Sequence, residues 1–172
     1  DPVPPLYGFL PGVERVRTDP VAGAAYDLLV VSDCGSLDRV GAVGQRHAEL
    51  FGRLPRVVID HHASNGSVGE ADWIDPHAAA TCEMVALVAG RLGVGFDGER
   101  GRDLATALMA GIVMDTATFA HPNATPRTLR VAAELRAAGA PLCKNMWSKD
   151  LQKLRLVRGM KVAKFPTRQF YL

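Results

Sequence analysis

Two short unbroken apolar runs limit what this chain can fold into more than any other feature. Tyr26-Asp27-Leu28-Leu29-Val30-Val31-Ser32 is largely apolar and β-branched, and it stops at the turn-like cluster Asp33-Cys34-Gly35-Ser36. Arg56-Val57-Val58-Ile59 repeats the pattern and stops at Asp60. Neither run alternates apolar with polar residues, as a strand with one wet face does. Unbroken runs suit strands buried on both faces of a parallel sheet. Between them Val40, Val43, His47 and Leu50 or Phe51 recur near helical spacing, which predicts a helix from Val40 to Gly52. Strand, helix, strand is the βαβ unit, so the predicted fold is α/β, a mainly parallel sheet with helices on both faces.

Three further helices follow from pattern and punctuation. Residues 78–92 read as an amphipathic helix with an ill-defined start, because Thr81 followed by Glu83 and Met84 makes no proper capping box. Arg100 to Met114, rich in Ala and Leu, reads as the next helix and delivers Asp115 at its end. Thr125-Pro126 opens the last one. A threonine caps it, and proline takes the first helical position, where its missing N–H costs nothing. That helix runs to Ala138 and stops at Gly139.

Composition narrows the class. A length of 172 residues suits one domain with a real core. A hydrophobic share of 48% argues against a disordered chain. No apolar run approaches the roughly 18 residues of a membrane span, and no secretory signal pattern opens the chain. The start at Asp1-Pro2-Val3, without Met, reads as a fragment or a processed product. Cys34, Cys82 and Cys143 are widely spaced, matching neither a disulfide framework nor a C-x-x-C zinc pattern. Reduced cysteines in a cytoplasmic protein are the plain reading. Residues 1–139 carry 12 Lys and Arg against 17 Asp and Glu, whereas residues 140–172 carry 8 against only Asp150. That change places a boundary near Gly139-Ala140-Pro141, between an acidic body over 1–139 and a basic segment of undefined fold over 140–172. The basic segment is either an attractor for nucleic acid or a solvated helix face.

The chemistry sits at the strand ends. Ligands of open α/β sheets gather at the carboxyl ends of the strands, and Asp33 and Asp60 are placed there. His61 and His62 follow Asp60 directly. Acidic and imidazole groups crowded at one strand end are costly to bury without compensating charge. A divalent metal supplies that charge, and carboxylate with imidazole suits Mn²⁺ or Fe²⁺ better than a thiolate-loving ion. Read from the residues alone, the alternative stands beside it: an Asp after a strand is often only a turn residue, and two histidines become neighbours by chance.

Three stretches resemble the DHH family of phosphoesterases. Val58-Ile59-Asp60-His61-His62-Ala63-Ser64-Asn65 resembles the motif that gives the family its name. Val31 to Gly41, with Asp33 at the strand end and Arg39-Val40-Gly41 behind it, resembles a second motif. Ala110-Gly111-Ile112-Val113-Met114-Asp115-Thr116 resembles a helix-end Asp-Thr motif. Asn123-Ala124-Thr125-Pro126-Arg127-Thr128 looks like a stretch from the bacterial branch that degrades short RNA and dephosphorylates 3′-phosphoadenosine 5′-phosphate. The likeness covers roughly residues 1–139, with the motifs in family order.

The resemblance implies a hydrolase of short oligoribonucleotides and small nucleotides that uses a metal-activated water. It implies two Mn²⁺ ions in a complete site, with Mg²⁺ or Fe²⁺ as substitutes. Carried over by motif, Asp33 bridges the ions, and His61 and Asp115 complete one ion's shell. His62 lies beside the scissile phosphate, and Asp60 orients its histidine neighbours. Arg39, Asn123 and Arg127 are the substrate-side candidates, with His121 a weaker one; an ion pair of Arg39 with Asp38 or Asp60 is the competing role. His47 and His77 read as helix-surface residues. The family's first motif, on a strand expected before Asp1, and its smaller glycine-rich C-terminal domain are absent from these residues. Ala117 stands where close relatives usually carry Gly. A catalytically incomplete piece of such an enzyme, or a relative acting on pyrophosphate, polyphosphate or cyclic dinucleotides, is therefore the alternative. No membrane partner is expected, and a homodimer is.

Overall fold

A computed structural model describes residues 3–66 and 69–141. Strand β1 (Leu29–Ser32) leads through a 3-10 turn at Leu37–Val40 to helices α1 (Ala42–Arg46) and α2 (Ala48–Arg53). Strand β2 (Arg56–Asp60) and strand β3 (Ala71–Ile74) follow, then helices α3 (Thr81–Arg91), α4 (Gly98–Asp115) and α5 (Pro126–Ala137). The three strands form one parallel sheet in the order β1-β2-β3. This is the α/β fold that the apolar runs predict. Residues 142–172, most of the basic segment, lie outside the described residues.

Burial of the sheet is uneven. The face that carries Val31 and Val58 is closed, at 8% and 0% exposure, and α3 packs on β2. Val30, on the other face, is 56% exposed, and Leu28 and Trp73 also reach solvent. The unbroken apolar run at β1 is thus buried on one side rather than two among the described residues.

The helix expected from Val40 to Gly52 is two. His47 leaves helical geometry at φ −118°, and its ring lies 3.1 Å from Asp19 Oδ1, which also accepts from Arg46 at 2.8 Å. Neither α1 nor α2 buries a residue, and Gly44 and Gly52 weaken both. A short helix without a packed face has little to resist such a break. Strand β3 has no counterpart in the sequence reading. Ala71 and Asp72 are poor strand formers, so pairing with β2 makes the strand. The predicted ends of α5 are both present. Thr125 and Thr128 cap each other reciprocally, and Gly139, at φ 98°, lets Gly139 and Ala140 N–H reach the carbonyls of Arg136 and Leu135.

The main core lies between α3, α4 and α5, around Ala86, Met109, Ile112 and Leu135, with Phe9 and Leu10 packed against it. Gly111 lets α4 approach α3 closely, since a Cβ there would collide with Cys82 Sγ. Alanine ordinarily stabilises a helix interior by about 1 kcal/mol over glycine. Here Gly111→Ala is expected to lower stability instead, by about 1–3 kcal/mol from overpacking. Thermal unfolding followed by circular dichroism checks it, and a raised Tm would contradict the close approach.

Candidate metal centre

Parallel pairing sets Ser32 beside Ile59, so β1 and β2 end at one level. Asp33 then donates its N–H to the Ile59 carbonyl at 3.1 Å and turns out of the sheet at φ 57°. Aspartate tolerates this left-handed conformation better than most residues. Its Oδ1 accepts from Thr81 Oγ1 at 2.9 Å and lies 3.4 Å from His61 Nε2. The turn behind it is tight: a Cβ at buried Gly35 would sit 3.2 Å from Ser64 Oγ and 3.4 Å from His62 Cβ.

Asp60 is fully buried at the end of β2. Its Oδ1 lies 2.7 Å from His62 Nδ1 and takes the His62 N–H at 3.2 Å, while Oδ2 accepts from Asn65 Nδ2 at 2.8 Å. Burial pushes the carboxyl up, but the hydrogen bonds from Asn65 and His62 outweigh it and hold the group below the usual carboxylate range. The same Asn65 amide reaches the Cys34 carbonyl at 3.0 Å, which ties the Asp33 turn to the Asp60 loop.

His61 points the other way. Its Nδ1 lies 3.3 Å from the Ala78 carbonyl, which can only accept, so Nδ1 carries the proton. Nε2 then faces Asp33 Oδ1 at 3.4 Å and Asp115 Oδ2 at 3.7 Å. Asp115 arrives from the last residue of α4. Burial raises its pKa, and the charge of Asp33 adds to the rise. Asp33, His61 and His62 also present ligand atoms within 4.8 Å of one another. Two carboxylates converging on an imidazole lone pair need a cation or a proton among them. The donor set fits a hard or borderline divalent ion. The nearby Cys82 thiol is no competitor: burial first, then Asp115 and Asp33, push its pKa up to about 11, so it stays protonated.

After Asp115 the chain makes a costly turn. Ala117, Thr118 and Phe119 all have positive φ, at 46°, 62° and 62°. Buried Thr116 holds them by donating to the Ile112 carbonyl at 2.7 Å and accepting the Phe119 N–H at 2.9 Å. Ala117 therefore occupies a conformation that glycine adopts without strain.

The structure brings Asp33, Asp60, His61, His62 and Asp115 together. The substrate-side candidates are placed differently. Arg39 is exposed in the 3-10 turn after the Asp33 loop, and Asp60 is hydrogen-bonded to His62 and Asn65. Asn123 is exposed, with its amide on the Ala79 and Asp115 carbonyls at 3.2 and 3.3 Å. His121 Nδ1 approaches the Asp115 carbonyl at 3.4 Å. Arg127 pairs with Glu83 and, at 2.7 Å, with Asp75. Three participants escaped the sequence reading: Thr81, Asp75 and Glu83. A signal for Glu83 was present, since it is the third residue of α3, where a carboxylate reaches back to a free N–H. Here it takes Ala79 N–H at 3.0 Å, one residue before the N-cap, so the motif looks incomplete.

No family model matches the chain. Among curated proteins, the bifunctional oligoribonuclease and PAP phosphatase NrnA of Thermus thermophilus is 43% identical over 84 residues, 49% of this chain and 25% of its own length. The protein of the same name from Bacillus subtilis is 31% identical over 137 residues, 76% of this chain and 39% of its own. The chain thus spans between a quarter and two fifths of these relatives. A solved exopolyphosphatase-related protein from Bacteroides fragilis matches with a TM-score of 0.70 at 17% identity, over 94% of this chain and 51% of its own. That likeness is one of fold.

The Asp75–Arg127 pair makes a pH prediction. Burial raises the Asp75 carboxyl, yet Arg127 and the His77 N–H win and hold it below its ordinary value. A depressed carboxylate adds stability above its unfolded pKa and loses it as pH falls through the folded one. Stability is therefore expected to drop in acid below the ordinary carboxylate range, and Asp75→Asn should flatten that drop. Urea unfolding across an acid pH series measures both; equal slopes would remove Asp75 from the account.

Proposed function

We propose that this chain is a manganese-dependent phosphoesterase of the DHH family, in its NrnA type, acting on short oligoribonucleotides and on 3′-phosphoadenosine 5′-phosphate. The observation that carries the proposal is the convergence of Asp33 and Asp115 on Nε2 of His61, whose Nδ1 faces the Ala78 carbonyl. Asp33, His61 and Asp115 are the groups that would hold an ion. A divalent ion bound there supplies the charge that activates water and steadies the phosphoryl oxygens.

The remaining steps belong to the protein's own side chains. Thr81 donates to Asp33 Oδ1 and so fixes the orientation of that carboxylate. Asp60 accepts the Nδ1 proton of His62, which turns the opposite edge of that ring, with Nε2, to the half-open side. In its cationic form His62 can donate from Nε2 to a phosphoryl or leaving oxygen. Asp60 acts by orienting His62, being fully buried and out of reach of substrate. Arg39 is the exposed cation in the turn behind Asp33 and is the candidate for holding a phosphate. Asn123, with both amide protons directed at carbonyls, would offer substrate its oxygen.

The test is hydrolysis of both substrates with Mn²⁺ by this chain, with Asp33→Ala as control. Turnover is expected to fall by at least about 10³-fold in the variant, the scale of losing a group that stabilises developing charge. A folded chain that releases neither nucleotide nor phosphate would overturn the proposal for this polypeptide. Nearly intact turnover by Asp33→Ala would overturn the role of Asp33.

A further inference from the structure

Glu83 is fully buried, yet nothing in the chemistry above uses it. Its Oε2 accepts the Ala79 N–H at 3.0 Å and the Thr128 hydroxyl at 2.8 Å, and its Oε1 pairs with Arg127 Nε. Arg127 in turn reaches Asp75 Oδ2 at 2.7 Å. The Ala79 N–H is one end of a peptide group whose other end is the Ala78 carbonyl. That carbonyl is the acceptor for His61 Nδ1, at 3.3 Å. Glu83 carboxylate, peptide group and His61 ring therefore stand in one hydrogen-bonded line.

The line matters because Ala78, Ala79 and Ala80, at 3%, 0% and 0% exposure, have no side chains able to hold this peptide in place. Its plane rests on Glu83 at the N–H and on Asn123 at the next carbonyl. A negative charge accepting at the N–H end also polarises the amide, which makes its carbonyl a stronger acceptor. A stronger acceptor holds the Nδ1–H in place and so keeps the Nε2 edge of the ring toward Asp33 and Asp115.

We propose that Glu83 is a positioning residue: through the Ala78–Ala79 peptide it holds the direction of the His61 ring, with Arg127 as its counter-ion. The positioning of the ring stands on the hydrogen bonds alone. Its consequence for metal affinity rests on the reading of His61 as a ligand.

The experiment uses the whole chain, ¹⁵N-labelled and metal-free. The His61 Nδ1–H is expected to give a resolved, slowly exchanging proton signal in the wild type. In Glu83→Gln, which keeps an acceptor but loses its charge, that signal should broaden or vanish. Mn²⁺ affinity should fall by about 10-fold or more, the usual effect of removing such a partner. Asp75→Asn loosens the same arginine from its other arm, so it should lower Tm while leaving the His61 Nδ1–H signal and Mn²⁺ affinity unchanged. A folded Glu83→Gln chain with the wild-type Nδ1–H signal overturns the proposal, as does an Asp75→Asn chain that alters that signal equally. If the Nδ1–H responds but the wild type binds no Mn²⁺, the positioning role stands and the metal reading falls. Should Glu83→Gln not fold, hydrogen exchange of the wild-type Ala79 amide decides: strong protection is expected, and exchange at the rate of an open loop overturns the line.

Discussion

Parallel pairing of β1 with β2, in the register that sets Ser32 beside Ile59, is the constraint on which the rest of the site depends. It ends two strands at one level and leaves Asp33 next to the Asp60-His61-His62 loop. A slip of one residue would turn Val31 and Val58 out of the closed face and send Asp33 away from His61. The Asp33 N–H to the Ile59 carbonyl, and Asn65 bridging Asp60 and the Cys34 carbonyl, lock that level from both sides.

Burying charge beside such a site requires compensation, and the two fully buried carboxylates find it in different ways. Asp60 is surrounded by neutral and imidazole donors, which keep it ionised and let it steer His62. Glu83 is surrounded by a guanidinium, a hydroxyl and a backbone amide. Each would be costly to leave unpaired. In both cases the pairing gives direction to a histidine, and the two rings end at a T-shaped contact with centroids 4.7 Å apart. The helical core beneath supplies the rigidity, because α4 carries Asp115 at its last residue and Gly111 seats that helix against α3.

Local pattern alone already contains the first two strands and the helices after β3. It also contains the capped ends of α5 and the Asp-His-His triplet at a strand end. These features are readable because apolar runs, capping residues and turn residues act over a few neighbouring positions. The break at His47 and the existence of β3 were not readable. The first depends on Asp19, far back in the chain, and the second on a strand partner that overrides poor propensity.

The residues themselves determined which chemistry is available: carboxylates and imidazoles set at the ends of buried strands. Tertiary structure alone decided which of them meet. Packing of α4 carries Asp115 to His61, the start of α3 brings Thr81 to Asp33, and α5 gives Arg127 to Glu83 and Asp75. Periodicity in a sequence reports how each element is buried. The meeting of side chains far apart in the chain is set by helix packing and strand register, which no local window contains.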